Sequence, residues 1–326
     1  MTKTSEYNSV DYSIIIPVYF NEGSLRETYR KIESTVFTQN APLRGEVIFV
    51  DDGSGDGSLN ELLSIRRENP KAVRVIKFTR NFGQNSARLA GYNHAKGKCF
   101  IHVTADLQDP PEIMNEMLKG YFEEGYEVVI AKRKNREESF YRRVTSFIFY
   151  WIINKLCFNN MPVGGFDYHL IGSKVRDIIL SSNEANPFFQ GQILWTGFEP
   201  KFLSYTRMKR KVGKSRWTFS KKVKLLIDGI MGYTFFPLRI ISISGIIMAI
   251  IGLLTTVVLA FKRLYGDYTI EGWTSIIVVF LIVSGVQMLM LGMVGEYIWR
   301  ILDQVRFRRP FVIEMVYDET TDETST

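Results

Sequence analysis

Cysteine and histidine are scarce, with two of the first and three of the second in 326 residues. No CxxC pair or Cys/His spacing suits zinc, and so few histidines leave little for a metal cage. Cys99 and Cys157 sit in unrelated contexts, and Cys99 reads as a buried strand residue. Two glycine patterns are missing as well. No GxGxxG follows the first strand signal, so a dinucleotide site has little support, and no GxxxxGK(S/T) occurs, so a P-loop is excluded. The polar stretch Met1 to Asp11 lacks an apolar core and does not read as a signal peptide.

The chain does carry unevenly placed charge. Lys and Arg number 41 against 34 Asp and Glu, a net +7. Basic residues crowd Lys132–Arg143, Lys201–Lys224 and Arg300–Arg309, while Asp318 to Thr326 is acidic and polar. Such an excess suits nucleic acid, anionic lipid or a phosphorylated substrate. Two long apolar runs narrow the choice, "FFPLRIISISGIIMAIIGLLTTVVLAF" (235–261) and "WTSIIVVFLIVSGVQMLMLGMVGEYIW" (273–299). Each exceeds the roughly 20 residues that cross a bilayer core as a helix. Lys221, Lys222, Lys224 and Arg239 flank the first, and Arg300, Arg306, Arg308 and Arg309 follow the second. In the connecting loop Lys262 and Arg263 are balanced by Asp267 and Glu271, so both chain ends are expected in the cytoplasm. "FYRRVTSFIFYWIINKLCF" (140–158) and the lysine-rich stretch 221–234 read as interfacial helices, with a core helix the alternative for the first. Basic clusters thus gather near membrane or phosphate, which speaks against nucleic acid.

Residues 12–220 alternate strand and helix signals. "YSIIIPVY" is followed by the helical "GSLRETYRKIESTVFT", "EVIFV" by "DDGSGDGS" and a helix near 59–68, and "VRVIKF" by a helix near 86–95. The strands "CFIHVTA" and "YEVVIA" come next. Repeated βαβ units imply an α/β, Rossmann-like, mostly parallel sheet with helices on both faces. Ligands of such sheets bind beyond the carboxyl ends of the strands. Asn21-Glu22, Asp51-Asp52, Arg80-Asn81 and Asp106–Asp109 stand at those ends. Asp106 and Gln108 alternate along what reads as extended backbone before Pro110-Pro111, so both can face one side. A carboxylate and an amide there suit Mg²⁺ or Mn²⁺ bridging a diphosphate, because these ions take few oxygens from protein and the rest from phosphate and water.

With "PVYFNE", "VDDGSGDGS", "RNFGQ", "ADLQDPPE", "GGFDYHLI" and "RMKRKVGKSRW" leading to "PLR", the chain resembles family 2 glycosyltransferases of GT-A fold. Within that family it resembles the polyprenyl-phosphate glycosyltransferases, over roughly Tyr12 to Pro310. The resemblance implies that Pro17, Tyr19, Glu22 and Asp52 hold the base and ribose of a nucleotide, with Asp51 beside them. It implies that Asp106 and Gln108 bind the metal, and that Asp167 is the acid acting at the acceptor. Arg207, Arg210 and Lys214 to Arg216 meet the diphosphate or the lipid phosphate; for Arg133 and Arg136 an acceptor-phosphate site and a solvated basic face stay open. The chain departs from the family pattern in two places. Thr104 stands where many relatives carry Asp, and "PVYFNE" is one residue longer than "PVYNE".

The expected activity is inverting transfer of one sugar, most simply from UDP-glucose or a related UDP-sugar, to undecaprenyl or another polyprenyl phosphate for cell-envelope glycans. The partners are a nucleotide-sugar donor, a polyprenyl-phosphate acceptor, the lipid bilayer of the cytoplasmic membrane, a homo-oligomer and a flippase, with no nucleic acid. One rival is a processive polysaccharide synthase, but "QILWTGF" lacks the Arg before Trp195 that such chains carry, and two spans are few for a polymer channel. The other is a non-catalytic scaffold binding nucleotide-sugar or lipid. Past the spans, in the tail 300–326, "PFVIEMV" is expected to add as a strand to a sheet edge, that of a neighbouring subunit included.

Overall fold

A computed structural model describes residues 10–106, 108–134, 150–158, 160–162, 164–182, 184, 187–208, 227–265, 272–306 and 308–319. The chain divides into two compact units, one of Met1–Leu225 with Arg309–Thr326 and one of Leu226–Arg308.

The first unit is built on a single sheet. Its strands are β1 (Tyr12–Val18), β2 (Gly45–Asp51), β3 (Val73–Phe78), β4 (Cys99–His102), β5 (Val128–Arg133), β6 (His169–Gly172), β7 (Lys201–Tyr205) and β8 (Ile313–Tyr317). They lie in the order β7-β5-β6-β4-β1-β2-β3-β8. β1 is parallel to β2 and β4, β2 to β3, and β5 to β7; only β6 and β8 run against the rest. The mostly parallel α/β sheet expected from the sequence is therefore present. β1 and β2 are buried almost throughout, which is why they read as continuous apolar runs rather than alternating ones.

Four helices connect the first five strands: α1 (Leu25–Ile32), α2 (Ser58–Glu68), α3 (Gln84–His94) and α4 (Glu112–Phe122). α1 buries Leu25, Thr28, Tyr29 and Ile32, the spacing of one helical face, and continues as a π-helical turn over Glu33–Phe37. Pro110-Pro111 do not hold an extended strand; β4 ends at His102, and Pro111 caps the start of α4. Between residues 159 and 220 the sequence suggested no strand or helix, yet β6, β7 and the helices Ser173–Ser182 and Phe189–Trp195 lie there.

The tail forms the expected strand, on the edge of the chain's own sheet. β8 pairs antiparallel with β3, and Phe311 stacks on Phe78 at 5.3 Å. Ser86 Oγ donates to the Pro310 carbonyl at 2.9 Å, Lys77 pairs with Glu314 at 2.6 Å, and Arg66 donates to the Asp318 carbonyl.

The second unit holds two long helices, Phe236–Leu264 and Trp273–Val305. Both are long and apolar enough to cross a membrane, with mean hydropathies of 2.4 and 2.5 over their spans. No part of either apolar window is buried inside protein, unlike the core helix of a soluble domain. Within this unit Arg300 pairs with Asp228 at 2.8 Å and with Glu296 at 3.0 Å. Of the two surface segments expected, residues 140–149 and 221–226 lie outside the described residues, while 150–156 and 227–233 are helical.

Candidate active site

β1 to β4 finish at one end of the sheet, where β5 and β7 also end and antiparallel β6 begins. The loops there bring the chemistry together. Asp106 follows β4 on a turn, so the extended alternation expected of Asp106 and Gln108 is not what joins them. Instead Asp106 Oδ1 accepts from the Thr104 hydroxyl at 2.8 Å and from the Gln108 backbone N–H at 3.3 Å, a local side-chain turn that folds Gln108 back. Gln108 Nε2 donates to the Met208 carbonyl at 3.2 Å, and the Met208 N–H returns a bond to the Gln108 carbonyl at 2.9 Å. The amide nitrogen is thus taken, and Oε1 is the atom left for a ligand.

Thr104 does more than fill the place of an acid. Its hydroxyl also lies 2.9 Å from Asp109 Oδ2, so its one proton serves either carboxylate. Asp109 is buried and accepts from the Tyr205 hydroxyl at 2.6 Å. Arg207 reaches both acids, at 3.9 Å from Asp106 and 3.4 Å from Asp109. A third acid at position 104 would crowd like charges here, whereas a hydroxyl ties the two together.

Arg133, at the end of β5, closes the other side. It lies 3.8 Å from the Asp167 carboxylate and 3.4 Å from the Tyr205 hydroxyl, and it is largely buried rather than part of a solvated face. Burial opposes its charge, and the nearby Tyr205 and Asp167 outweigh that and raise its pKa. Asp167 follows two residues of positive φ, Gly164 and Gly165. A Cβ on Gly165 would run into the Tyr150 hydroxyl and Gln190, so the tight turn before Asp167 needs glycine there.

The nucleotide-side residues differ in the contacts they make. Both oxygens of Asp52 are committed to the loop after β3, accepting from Phe82 N at 2.6 Å, Gly83 N at 2.9 Å and Asn81 Nδ2 at 3.0 Å. Burial pushes its pKa up to about 6 against the pull of those donors. Asp51, 1% exposed, bonds Ser54 N through Oδ1, while Oδ2 finds no partner among the described residues. Burial raises its pKa too. Glu22 is exposed and accepts from the Gly57 N–H at 2.9 Å, which latches the first loop to the second. Pro17 sits one residue before the end of β1, and the Tyr19 ring meets Phe20 edge-on at 4.7 Å. Phe20, the added residue of "PVYFNE", absorbs the extra length in a left-handed conformation (φ 55°) and is 40% exposed.

Arg136, Arg210, Lys214 and Arg216 lie outside the described residues. Neither Tyr205 nor Asp109 was given a role from the sequence, although Asp109 stood in the strand-end stretch Asp106–Asp109 and Tyr205 two residues before Arg207. Among the described residues no group of three or more His, Cys, Asp or Glu could hold a metal alone. The carboxylate of Asp106 and the amide oxygen of Gln108 are hard donors, which fits an ion drawing most of its ligands from a diphosphate and water.

A family model described as "Glycosyl transferase family 2" matches residues 13–176. The chain is 36% identical over 309 residues to the "Uncharacterized glycosyltransferase YkcC" of Bacillus subtilis, covering 94% of each chain. It is 30% identical to the "SfII prophage-derived bactoprenol glucosyl transferase" of Shigella flexneri, covering 93% of this chain and 97% of that one. Among solved structures, mannosyl-3-phosphoglycerate synthase from Rubrobacter xylanophilus shares 13% identity at a TM-score of 0.45, over 81% of this chain and 78% of that one.

Proposed function

The chain belongs to glycosyl transferase family 2 and has its GT-A architecture; on that premise we propose that it moves one sugar, with inversion, from a nucleotide-sugar to a membrane polyprenyl phosphate. The observation that carries this reading is the meeting of Asp106, Gln108, Arg207, Arg133 and Asp167 at one end of the sheet, in a chain with two helices apolar enough to span a bilayer. The Shigella flexneri relative, named for bactoprenol and for glucosyl transfer, supports the lipid acceptor and makes UDP-glucose the first donor to try.

Breaking the sugar–diphosphate bond leaves positive charge at the anomeric carbon and negative charge on the departing nucleoside diphosphate. The guanidinium of Arg207 beside Asp106 faces that leaving group, where fixed positive charge in a partly buried site stabilises the transition state. Asp106 and Gln108 would hold Mg²⁺ or Mn²⁺, which when bound neutralises charge on the diphosphate. Asp51 Oδ2 meets the nucleotide, with Pro17 and Tyr19 beside it; Asp52 and Glu22 serve by fixing the loops.

On the acceptor side a phosphate oxygen attacks the anomeric carbon as the bond to the diphosphate breaks. A phosphate monoester has a second pKa of about 6, so the nucleophile is largely dianionic at neutral pH and needs placing rather than deprotonating. Arg133 supplies the charge that draws it in, and Asp167 holds Arg133. Arg136, Arg210, Lys214 and Arg216 are proposed to add phosphate contacts. The Lys/Arg excess outside the apolar hairpin supports a topology with the catalytic unit and both termini in the cytoplasm. The test is incubation of the purified full chain with labelled UDP-glucose, Mg²⁺ or Mn²⁺, and a short polyprenyl phosphate. A single lipid-linked sugar is expected; a polymer, or no lipid product with any of several nucleotide-sugars, overturns the reading.

A further inference from the structure

The loop that carries Asp167 is held from behind by a polar cluster in the core. β4 and β6 pair so that His102 lies directly opposite His169. Cross-strand partners project on one face, and the two rings stack at 5.3 Å with 18° between their planes. Both side chains are fully buried. His102 Nδ1 lies 2.6 Å and His169 Nδ1 3.0 Å from one acceptor, the backbone carbonyl oxygen of Asp167. A carbonyl oxygen carries two lone pairs and no proton, so each imidazole must donate from Nδ1. His169 Nε2 is then an acceptor, and the Tyr92 hydroxyl donates to it at 3.0 Å.

α3 covers this face. Arg88, one turn before Tyr92 on α3, is 2% exposed; its guanidinium lies 4.2 Å over the Phe189 ring, and the charge of Asp167 acts on it, with no ion pair within 4.0 Å among the described residues. Phe166 meets the His169 ring edge-on at 5.8 Å. Burial first, and the Arg88 charge second, hold both imidazoles well below the usual histidine range, so each keeps a single ring proton. The loop's carbonyls are tied one after another. Phe166 accepts from Gln190 Nε2 at 2.6 Å, Asp167 from the two histidines, and Tyr168 from the Ala131 N–H at 3.0 Å. Asp167 lies outside the strand ladder, so nothing in sheet pairing requires two buried donors at its carbonyl.

We infer that His102 and His169 are positioning residues that fix the backbone of Asp167, so that its carboxylate stands toward Arg133 and the acceptor phosphate. The inference rests on the acceptor-side reading of Asp167 given above. An aspartate displaced by even 1 Å in such a site can cost on the order of a hundredfold in rate.

The experiment uses the full chain and compares His102→Leu with His102→Asn, and His169→Leu with His169→Asn. Asn can present a donor where imidazole has Nδ1, and Leu cannot. The Leu variants are expected to lose about tenfold or more in kcat or in acceptor KM. Binding of UDP by calorimetry should stay within about twofold, and the Asn variants should regain most of the loss. Adding His102→Leu to Asp167→Asn should cost little further, since the histidine acts through a group already disabled. Equal losses for Leu and Asn, a parallel loss of UDP binding, or full additivity with Asp167→Asn overturns the inference. If the unsubstituted chain makes no lipid-linked sugar, the acceptor reading falls on its own. The histidines are then judged by nitrogen NMR of labelled imidazoles: Nδ1–H tautomers that stay neutral at pH 6 support the clamp, and Nε2–H tautomers, or rings that titrate near the ordinary pKa of about 6.5, refute it.

Discussion

Thr104 shows how one side chain can serve two carboxylates. Its hydroxyl reaches Asp106 and the buried Asp109 at 2.8 and 2.9 Å, so Thr104→Val keeps the shape and removes the hydroxyl proton that the two share. Leaving a buried acceptor unpaired costs about 1–3 kcal/mol. The variant should therefore melt several degrees lower and bind Mn²⁺–UDP more weakly, read by calorimetry; an unchanged melting temperature would show that Tyr205 and Arg207 satisfy Asp109 unaided. Asp106→Asn is the companion test. It should cost on the order of a hundredfold or more in transfer, as loss of one electrostatic contact to a transition state does, while binding of the polyprenyl phosphate persists. Full activity of Asp106→Asn in metal-limited buffer would sink the metal role. Asp167→Asn addresses the acceptor. A base would be dispensable once the phosphate, with its pKa of about 6, is dianionic, so recovery at pH 8 would reveal one. A defect that persists from pH 6 to pH 8 in single turnovers is expected instead on the proposed role, in which Asp167, 3.8 Å from Arg133, holds that guanidinium.

β8 is the element whose removal separates fold from function. It covers the outer edge of β3, and the segment leading into it binds Ser86, Phe78 and Thr79, the residues that bracket the loop clamped by Asp52. Ending the chain before Phe311 should expose that edge, lower the melting temperature and weaken UDP binding through the loosened Arg80–Gly83 loop. Ending it after Glu319 keeps the contacts of β8 found among the described residues and should change neither. Identical behaviour of the two truncations in melting and size-exclusion experiments would refute this account. The truncation point matters because Tyr317 packs against the main core and the Asp318 carbonyl takes a bond from Arg66.

At the scale of the whole molecule, the buried acids at the tips of β2 make stability depend on pH with an unusual sign. Asp52 has its pKa raised to about 6 by burial, against about 3.9 in an unfolded chain. Between those values the folded state binds the proton and the unfolded state does not, so stability falls as pH rises from about 4 to about 6. Asp52→Asn should flatten that limb in melting curves recorded against pH, and a limb of the same slope in both proteins would place the charge cost elsewhere. The catalytic unit and the apolar hairpin answer to different solvents, so such curves are best read on the full chain in detergent.

The alternation of strands and helices, the strand-end acids and the two apolar runs were legible in order because each depends on local spacing: period in a helix, burial on both faces of a parallel strand, length against the bilayer. The β8 strand was legible for the same reason, although its partner was not; "PFVIEMV" announces a strand, while only the fold puts the edge of β3 within reach. Asp52 and Asp51 could not be told apart by position, and the structure gives three donors to one while an oxygen of the other finds no partner among the described residues. Tyr205, Arg133 and Asp109 come from distant segments, and so do the two histidines behind Asp167, 67 positions apart by their numbers, 169 less 102. Their meeting is set by strand order and antiparallel register, quantities that no local pattern encodes, because pairing between remote segments is decided by the packing of the whole sheet.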